Sequence, residues 1–151
     1  MSSGGKGGGS PLMSDTRLMD LEAAWREREI EAAKLVADHP STGLALRIYA
    51  LEIRLKTLIC KTLAIPFLPR QCKTHAIDEL IVFTGFSSEL DDPANAGIRQ
   101  NWELLVDFAR NRLNGIRYLP AGALDGDDLA LYLSALDDPK DGVWTWLSRH
   151  P

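Results

Sequence analysis

Residues 44–61 carry apolar side chains on two opposite sides of a single helix, and few small folds can accommodate that. At about 100° per residue, Leu44, Ile48, Leu51, Leu55, Leu58 and Ile59 gather on one face. Leu46, Tyr49, Ile53 and Cys60 gather on roughly the opposite one. Arg47, Arg54 and Lys61 run down one polar seam between the stripes, and Glu52 and Lys56 sit on the other. A surface helix needs only one apolar stripe. Two stripes require cover on both sides, from neighbours in a bundle or from a second subunit. The expectation is a homodimer whose interface is the face of Leu46, Tyr49, Ile53 and Cys60.

The chain has 151 residues, enough for one domain with a real core. A net charge of −4 argues against a uniformly basic nucleic-acid binder but allows a local basic patch. Charge is unevenly spread: residues 47–75 hold six Lys or Arg against Glu52 alone, and residues 121–141 hold six Asp against Lys140 alone. Two cysteines are too few for a disulfide framework or a four-ligand zinc site, so no metal or cofactor is expected. No apolar run approaches the roughly 20 residues needed to span a bilayer, and the N-terminus lacks a signal peptide's apolar centre. A cytoplasmic protein without membrane attachment is the expectation.

Residues 1–13 read as a flexible Gly/Ser-rich tail and 14–151 as one helical domain. Ser14 or Asp15 is placed to cap a first helix ending near Asp38, before His39-Pro40. The two-striped helix follows, from Ser41 or Thr42 to about Ala64, and residues 65–69 form a proline-bounded loop. A third helix starts at Thr74 and stops at Gly85, and after a polar loop a fourth runs from about Ala94 to Leu119. Asp127 to Leu136 and residues 142–147 read as short closing helices. No strand pair stands out. The fold expected is all-α: an antiparallel up-down bundle of four main helices plus short C-terminal ones.

Three segments in this order resemble the HEPN superfamily: Tyr49-Ala50-Leu51-Glu52-Ile53-Arg54-Leu55-Lys56, then Thr74-His75-Ala76-Ile77-Asp78-Glu79-Leu80, then Arg117-Tyr118-Leu119-Pro120. The resemblance covers roughly residues 44–120. It implies a compact, commonly dimeric helical domain of the kind found in RNA-targeting nucleases, toxin–antitoxin pairs and nucleotidyltransferase partners. Nucleases of that superfamily use an Arg, four to six residues, then a His. The His serves as general acid or base and the Arg steadies charge on the phosphate. One literal match exists here, Arg70-Gln71-Cys72-Lys73-Thr74-His75, and the resemblance makes Arg70 and His75 the candidate catalytic pair. In active members the motif lies later in the chain, so His75 also reads as a helix-start residue that bonds locally.

The basic residues offer a different candidate. Arg47, Arg54 and Lys61 recur every seven residues, and Arg99, Arg110 and Arg117 align on the fourth helix within about 20° of one another. Facing a common groove, these rows would attract RNA phosphates or nucleotides. Paired with nearby acids, they would be scaffold. Trp144 and Trp146 likewise read either as a stacking platform for bases or as packing anchors. Asp125, Asp127 and Asp128 do not complete a calcium-loop pattern.

Three functions remain open. The first is a dimeric HEPN-like binding or assembly module for RNA, a nucleotide or a partner protein, in a defence or toxin–antitoxin type system. The second is a metal-independent endoribonuclease using Arg70 and His75. The third is a purely structural bundle.

Overall fold

The computed structural model describes residues 12–120 and 124–150. Most of the expected tail, residues 1–11, lies outside that description. The elements in chain order are β1 (Met13–Arg17), α1 (Leu18–Leu35), α2 (Pro40–Leu63), β2 (Phe67–Pro69), α3 (Ile77–Thr84), α4 (Ser87–Asp91), α5 (Ala96–Asn111), α6 (Leu113–Ile116), α7 (Gly126–Asp137) and α8 (Val143–Leu147). Single 3-10 turns fall at Arg70–Cys72 and Pro93–Asn95. The chain is mostly helical, and no described helix is long and apolar enough to cross a membrane.

The two-striped helix is the centre of the molecule. Pro40 opens α2 at a position where its missing N–H costs nothing and its fixed φ suits a helix. At the other end Ala64 turns left-handed at φ 54°, its N–H reaching Lys61 O at 3.1 Å while Ile65 N–H reaches Cys60 O at 3.0 Å. That pair of bonds closes the last turn as a Schellman-type stop. All six residues of the first stripe are buried, and α1, α3, β2, α6 and α7 all pack against α2. Each fully buried Leu or Ile contributes about 1.5–3 kcal/mol, so this helix dominates the core.

Several expectations need correction, among them the lack of a strand pair and the start of α2 at Ser41 or Thr42, which falls at Pro40 instead. Met13 is not tail, and Ser14 and Asp15 do not cap a helix: Met13–Arg17 pairs antiparallel with Phe67–Pro69, Met13 opposite Pro69 and Arg17 opposite Phe67. Four residue steps on β1 face two on β2, so the ribbon is irregular. The buried Ser14 hydroxyl donates to Leu68 O at 2.6 Å, and Leu18 N–H is satisfied by Pro66 O at 2.8 Å. The third helix begins at Ile77 because the Thr74 hydroxyl accepts from Ala76 N–H at 3.1 Å, making a local turn instead of a cap. The long fourth helix is broken at Arg112, whose guanidinium donates to the Tyr132 hydroxyl of α7 at 3.0 Å.

The C-terminal segment docks tightly. Gly142 is required there, since a Cβ would sit 2.5 Å from Leu136 O. Trp146 is buried and donates through Nε1 to Glu89 Oε1 at 3.3 Å, and His150 stacks on Phe86 with ring centres 4.1 Å apart.

Candidate functional site

The second stripe of α2 divides into two parts. Its lower end, Cys60, is fully buried in this chain's own core, as is Cys72 in the turn after β2. Burial, with the nearby Cys72 adding to it, pushes the Cys60 thiol up to about 11. Cys60 therefore contributes nothing to an outer face, contrary to the expectation that grouped it with the dimer interface. The upper part, Leu46, Tyr49 and Ile53, lines an open groove of about 390 Å³. Tyr49 is 37% exposed, and Leu46 and Ile53 are half-buried.

Polar groups rim this groove. On the α1 side Arg28 holds Glu31 through two hydrogen bonds, at 3.1 and 2.6 Å. On the other side stand Glu52 and His75. Glu52 is nearly buried on α2. One of its oxygens accepts from Lys56 Nζ at 3.0 Å and the other lies 2.9 Å from His75 Nδ1. The His75 side chain is itself 93% exposed, so its Nε2 stays open to solvent. The carboxylate fixes the ring's orientation, as is needed for proton transfer at the far nitrogen. His75 also lines a second, smaller depression of about 180 Å³ with Asp78, Val106 and Arg110, and so forms the ridge between two hollows.

Arg70 is placed elsewhere. Its Nε donates to Met13 O at 2.9 Å and its backbone N–H to Leu12 O at 3.0 Å, tying it to β1. His75 is tied to α2. Among the described residues no hydrogen bond or ion pair joins Arg70 to His75.

The cationic seam of α2 is closed by its own chain. Arg47 lies 2.7 Å from Glu29 and forms a two-bond fork with Asp137 at 2.6 and 2.8 Å. Arg54 lies beside the edge-on pair of Trp25 and Trp144, its guanidinium 4.7 Å from one ring centre and 4.9 Å from the other. Burial lowers the Arg54 guanidinium from its ordinary value against the opposing pull of Glu22 and Glu29. Lys61 pairs with Glu22. These contacts run in reverse order along the two helices: Glu22 with Lys61, Trp25 with Arg54, Glu29 with Arg47. The helices α1 and α2 therefore run in opposite directions. Glu22 and Glu29 share the seven-residue spacing of the cations, a signal in the sequence that names their partners.

The second basic row faces another side. Arg110 pairs with Asp78 at 2.6 Å, Arg99 with Glu103 at 3.2 Å and Asp91 at 3.6 Å, and Arg117 lies over its neighbour Tyr118. The two rows meet different partners, and each of the six cations is ion-paired or lies over an aromatic ring within the chain. Trp144 meets Trp25 edge-on at 5.6 Å, which makes it a packing anchor. Glu52 was not among the expected site residues. Its i, i+4 relation to Lys56 on the central helix was the available signal. Among the described residues, no group of three or more His, Cys, Asp or Glu could hold a metal ion. Compared with protein families, characterised proteins and solved structures, the chain matches none.

Proposed function

We propose that this chain is a HEPN-like helical binding and assembly module that pairs with a second copy through the groove of Leu46, Tyr49 and Ile53. In this reading the four main helices run up and down, the protein works in the cytoplasm, and RNA, a nucleotide or a partner protein is its ligand in a defence or toxin–antitoxin type system. The observation carrying it is the divided second stripe. The chain covers Cys60 by itself yet leaves Leu46, Tyr49 and Ile53 as an open apolar floor on its most central helix. The rim carries both signs of charge, Arg28 with Glu31 and Glu52. A two-fold axis can then set one copy's Arg28 against the other's Glu31, which a self-complementary interface requires. Sedimentation of the intact protein tests this: a dimer that becomes a monomer in Tyr49→Asp supports it, and a monomer at all concentrations removes it.

A second reading is favoured by one observation, the exposed His75 ring fixed by Glu52. There the protein cleaves RNA without a metal, with His75 Nε2 moving the proton and Glu52 orienting the ring. The sequence motif paired His75 with Arg70 for this role. Incubating the protein with mixed RNA in chelator tests it. Cleavage lost in His75→Ala and reduced in Glu52→Gln supports this reading; intact RNA rejects it.

A further inference from the structure

Two nucleophilic groups take no part in either reading above, and the backbone brings them together. Cys60 and Cys72 are the chain's only cysteines, and both are fully buried in one core. After Ala64 the chain turns back along α2. Ile65 N–H bonds Cys60 O at 3.0 Å, and at the far end of the returning segment His75 Nδ1 lies 2.9 Å from Glu52. From Glu52 to Cys60 the helix rises about 12 Å, so residues 65–75 are laid along that length. Within the turn after β2, Arg70, Gln71 and Lys73 are exposed and Cys72 alone faces inward. Lys56 and Cys60 stand one helical turn apart on one face of α2. Burial raises the Cys72 thiol against the pull of Lys56, and burial followed by Cys72 raises Cys60 to about 11. Both influences put Cys72 against this turn of the helix.

Among the described residues, no further His, Cys, Asp or Glu joins them to complete a metal site. Two neighbouring thiols without other ligands are suited to two-electron oxidation instead. The surroundings give that oxidation a consequence. Cys72 precedes His75 by three residues, and Lys56 holds the same Glu52 that orients the His75 ring. Whatever fixes Cys72 also fixes the ridge beside the Tyr49 groove.

We propose that Cys60 and Cys72 form a reversible intrachain disulfide that locks the turn after β2, and with it the segment leading to His75, onto α2. The co-reactant is a low-molecular-weight disulfide, which enters where the short, irregular ribbon of β1 and β2 opens. Cys72, the thiol nearer Lys56, loses its proton, and its thiolate attacks one sulfur of the reagent and expels the other half as a thiolate. Cys60 then gives up its proton and attacks the Cys72 sulfur of the mixed disulfide, expelling the second half. Two protein thiols and one reagent disulfide become one protein disulfide and two reagent thiols, a two-electron oxidation of the protein. Closing the loop from Cys60 to Cys72 restrains the unfolded chain and so stabilises the folded one. The lock operates whichever reading of the Tyr49 groove holds.

The test uses the intact parent protein and oxidised glutathione as the probe. After incubation, acid quenching and digestion without reductant, mass spectrometry should show a single chain lighter by two hydrogens, with the peptides of Cys60 and Cys72 joined. Dithiothreitol should restore both thiols. The oxidised form should melt about 5 °C or more above the reduced one, and the amides of residues 70–75 should exchange more slowly in it. Cys60→Ala should stop at a glutathione adduct on Cys72. The inference is overturned if both thiols stay free in excess reagent, if adducts accumulate on the parent protein without closing, or if the bond forms between two copies. An oxidised form that melts no higher, with residues 70–75 exchanging as before, likewise overturns the lock.

Discussion

The two long flanks of α2 are built from similar material and end in opposite states. Along one, Arg47, Arg54 and Lys61 meet Glu29, Trp25 with Trp144, and Glu22, so that every cation is engaged inside the chain. Along the other, Glu52 and Lys56 satisfy each other and His75 while Leu46, Tyr49 and Ile53 stay accessible. A row of basic residues is therefore not in itself a binding surface. What distinguishes scaffold from site is whether the opposing helix carries complementary groups in matching register. On α1 it does, through Glu22 and Glu29. Opposite the Tyr49 groove, Arg28 and Glu31 are instead occupied with one another.

If that contrast is right, the closed flank should be costly to disturb and the open one cheap. Arg47→Ala has the largest expected effect, since it strands the half-buried Glu29 beside Asp137. A loss of about 3 kcal/mol is expected in urea unfolding. A loss under about 1 kcal/mol would mean that the seam is not a strut. Trp144→Ala removes one of the two rings that Arg54 lies over, together with the edge-on contact to Trp25, and should cost about 2 kcal/mol, read as a fall in melting temperature. An unchanged melting point would show that α8 does not brace α1.

The same seam predicts opposite responses to acid. Burial outweighs Arg47 and holds Glu29 above its ordinary value of 4.5. Its contribution to stability is therefore fullest below that value and is lost as pH rises through the raised one. Burial also pushes Glu22 upward, but hydrogen bonds from Lys61 and Trp25 with the charges of Lys61 and Arg26 outweigh it and hold Glu22 below 4.5. Glu22 thus stabilises above 4.5 and ceases to do so as pH falls below it. Urea midpoints across this range should show Glu29→Gln gaining on the parent protein as pH rises. Glu22→Gln should trail it at neutral pH and converge in acid. Parallel curves for all three would contradict the register of α1 on α2. The smallest effect belongs to the open flank: Tyr49→Asp should change stability by no more than about 0.5 kcal/mol while abolishing self-association. A large destabilisation would move Tyr49 into the core.

How much could be read beforehand follows from how local each determinant is. The buried stripe of α2 and its stop near Ala64 were legible because the apolar spacing and the end signal are encoded within one segment. Its start, expected to be capped by Ser41 or Thr42, falls at Pro40 with no side-chain cap. The ribbon was not legible. Phe67–Pro69 is only three residues, following Pro66 and ending in a proline, and Ser14, the partner of Leu68, lies 54 positions away. The start of α1 is set by Pro66 O rather than by a neighbouring side chain, so no capping pattern marks it. The break falls at Arg112, where neither Gly nor Pro marks it in the sequence. At the candidate site, His75 was visible through its motif, but the side chain within hydrogen-bond distance of it is Glu52 on another helix rather than Arg70 five residues upstream. Tertiary distance, not sequence spacing, chose the pair.

The sealed thiols give the molecule an internal clock. Cys60 belongs to the central rod and Cys72 to the turn beside the ribbon, and neither meets solvent while the fold is intact. Cys72 is a near neighbour of Cys60, so a reagent that reaches Cys72 when the ribbon peels away reaches Cys60 only if that opening extends to the rod. The lag between the two labels measures how independently the edge of this fold breathes from its middle.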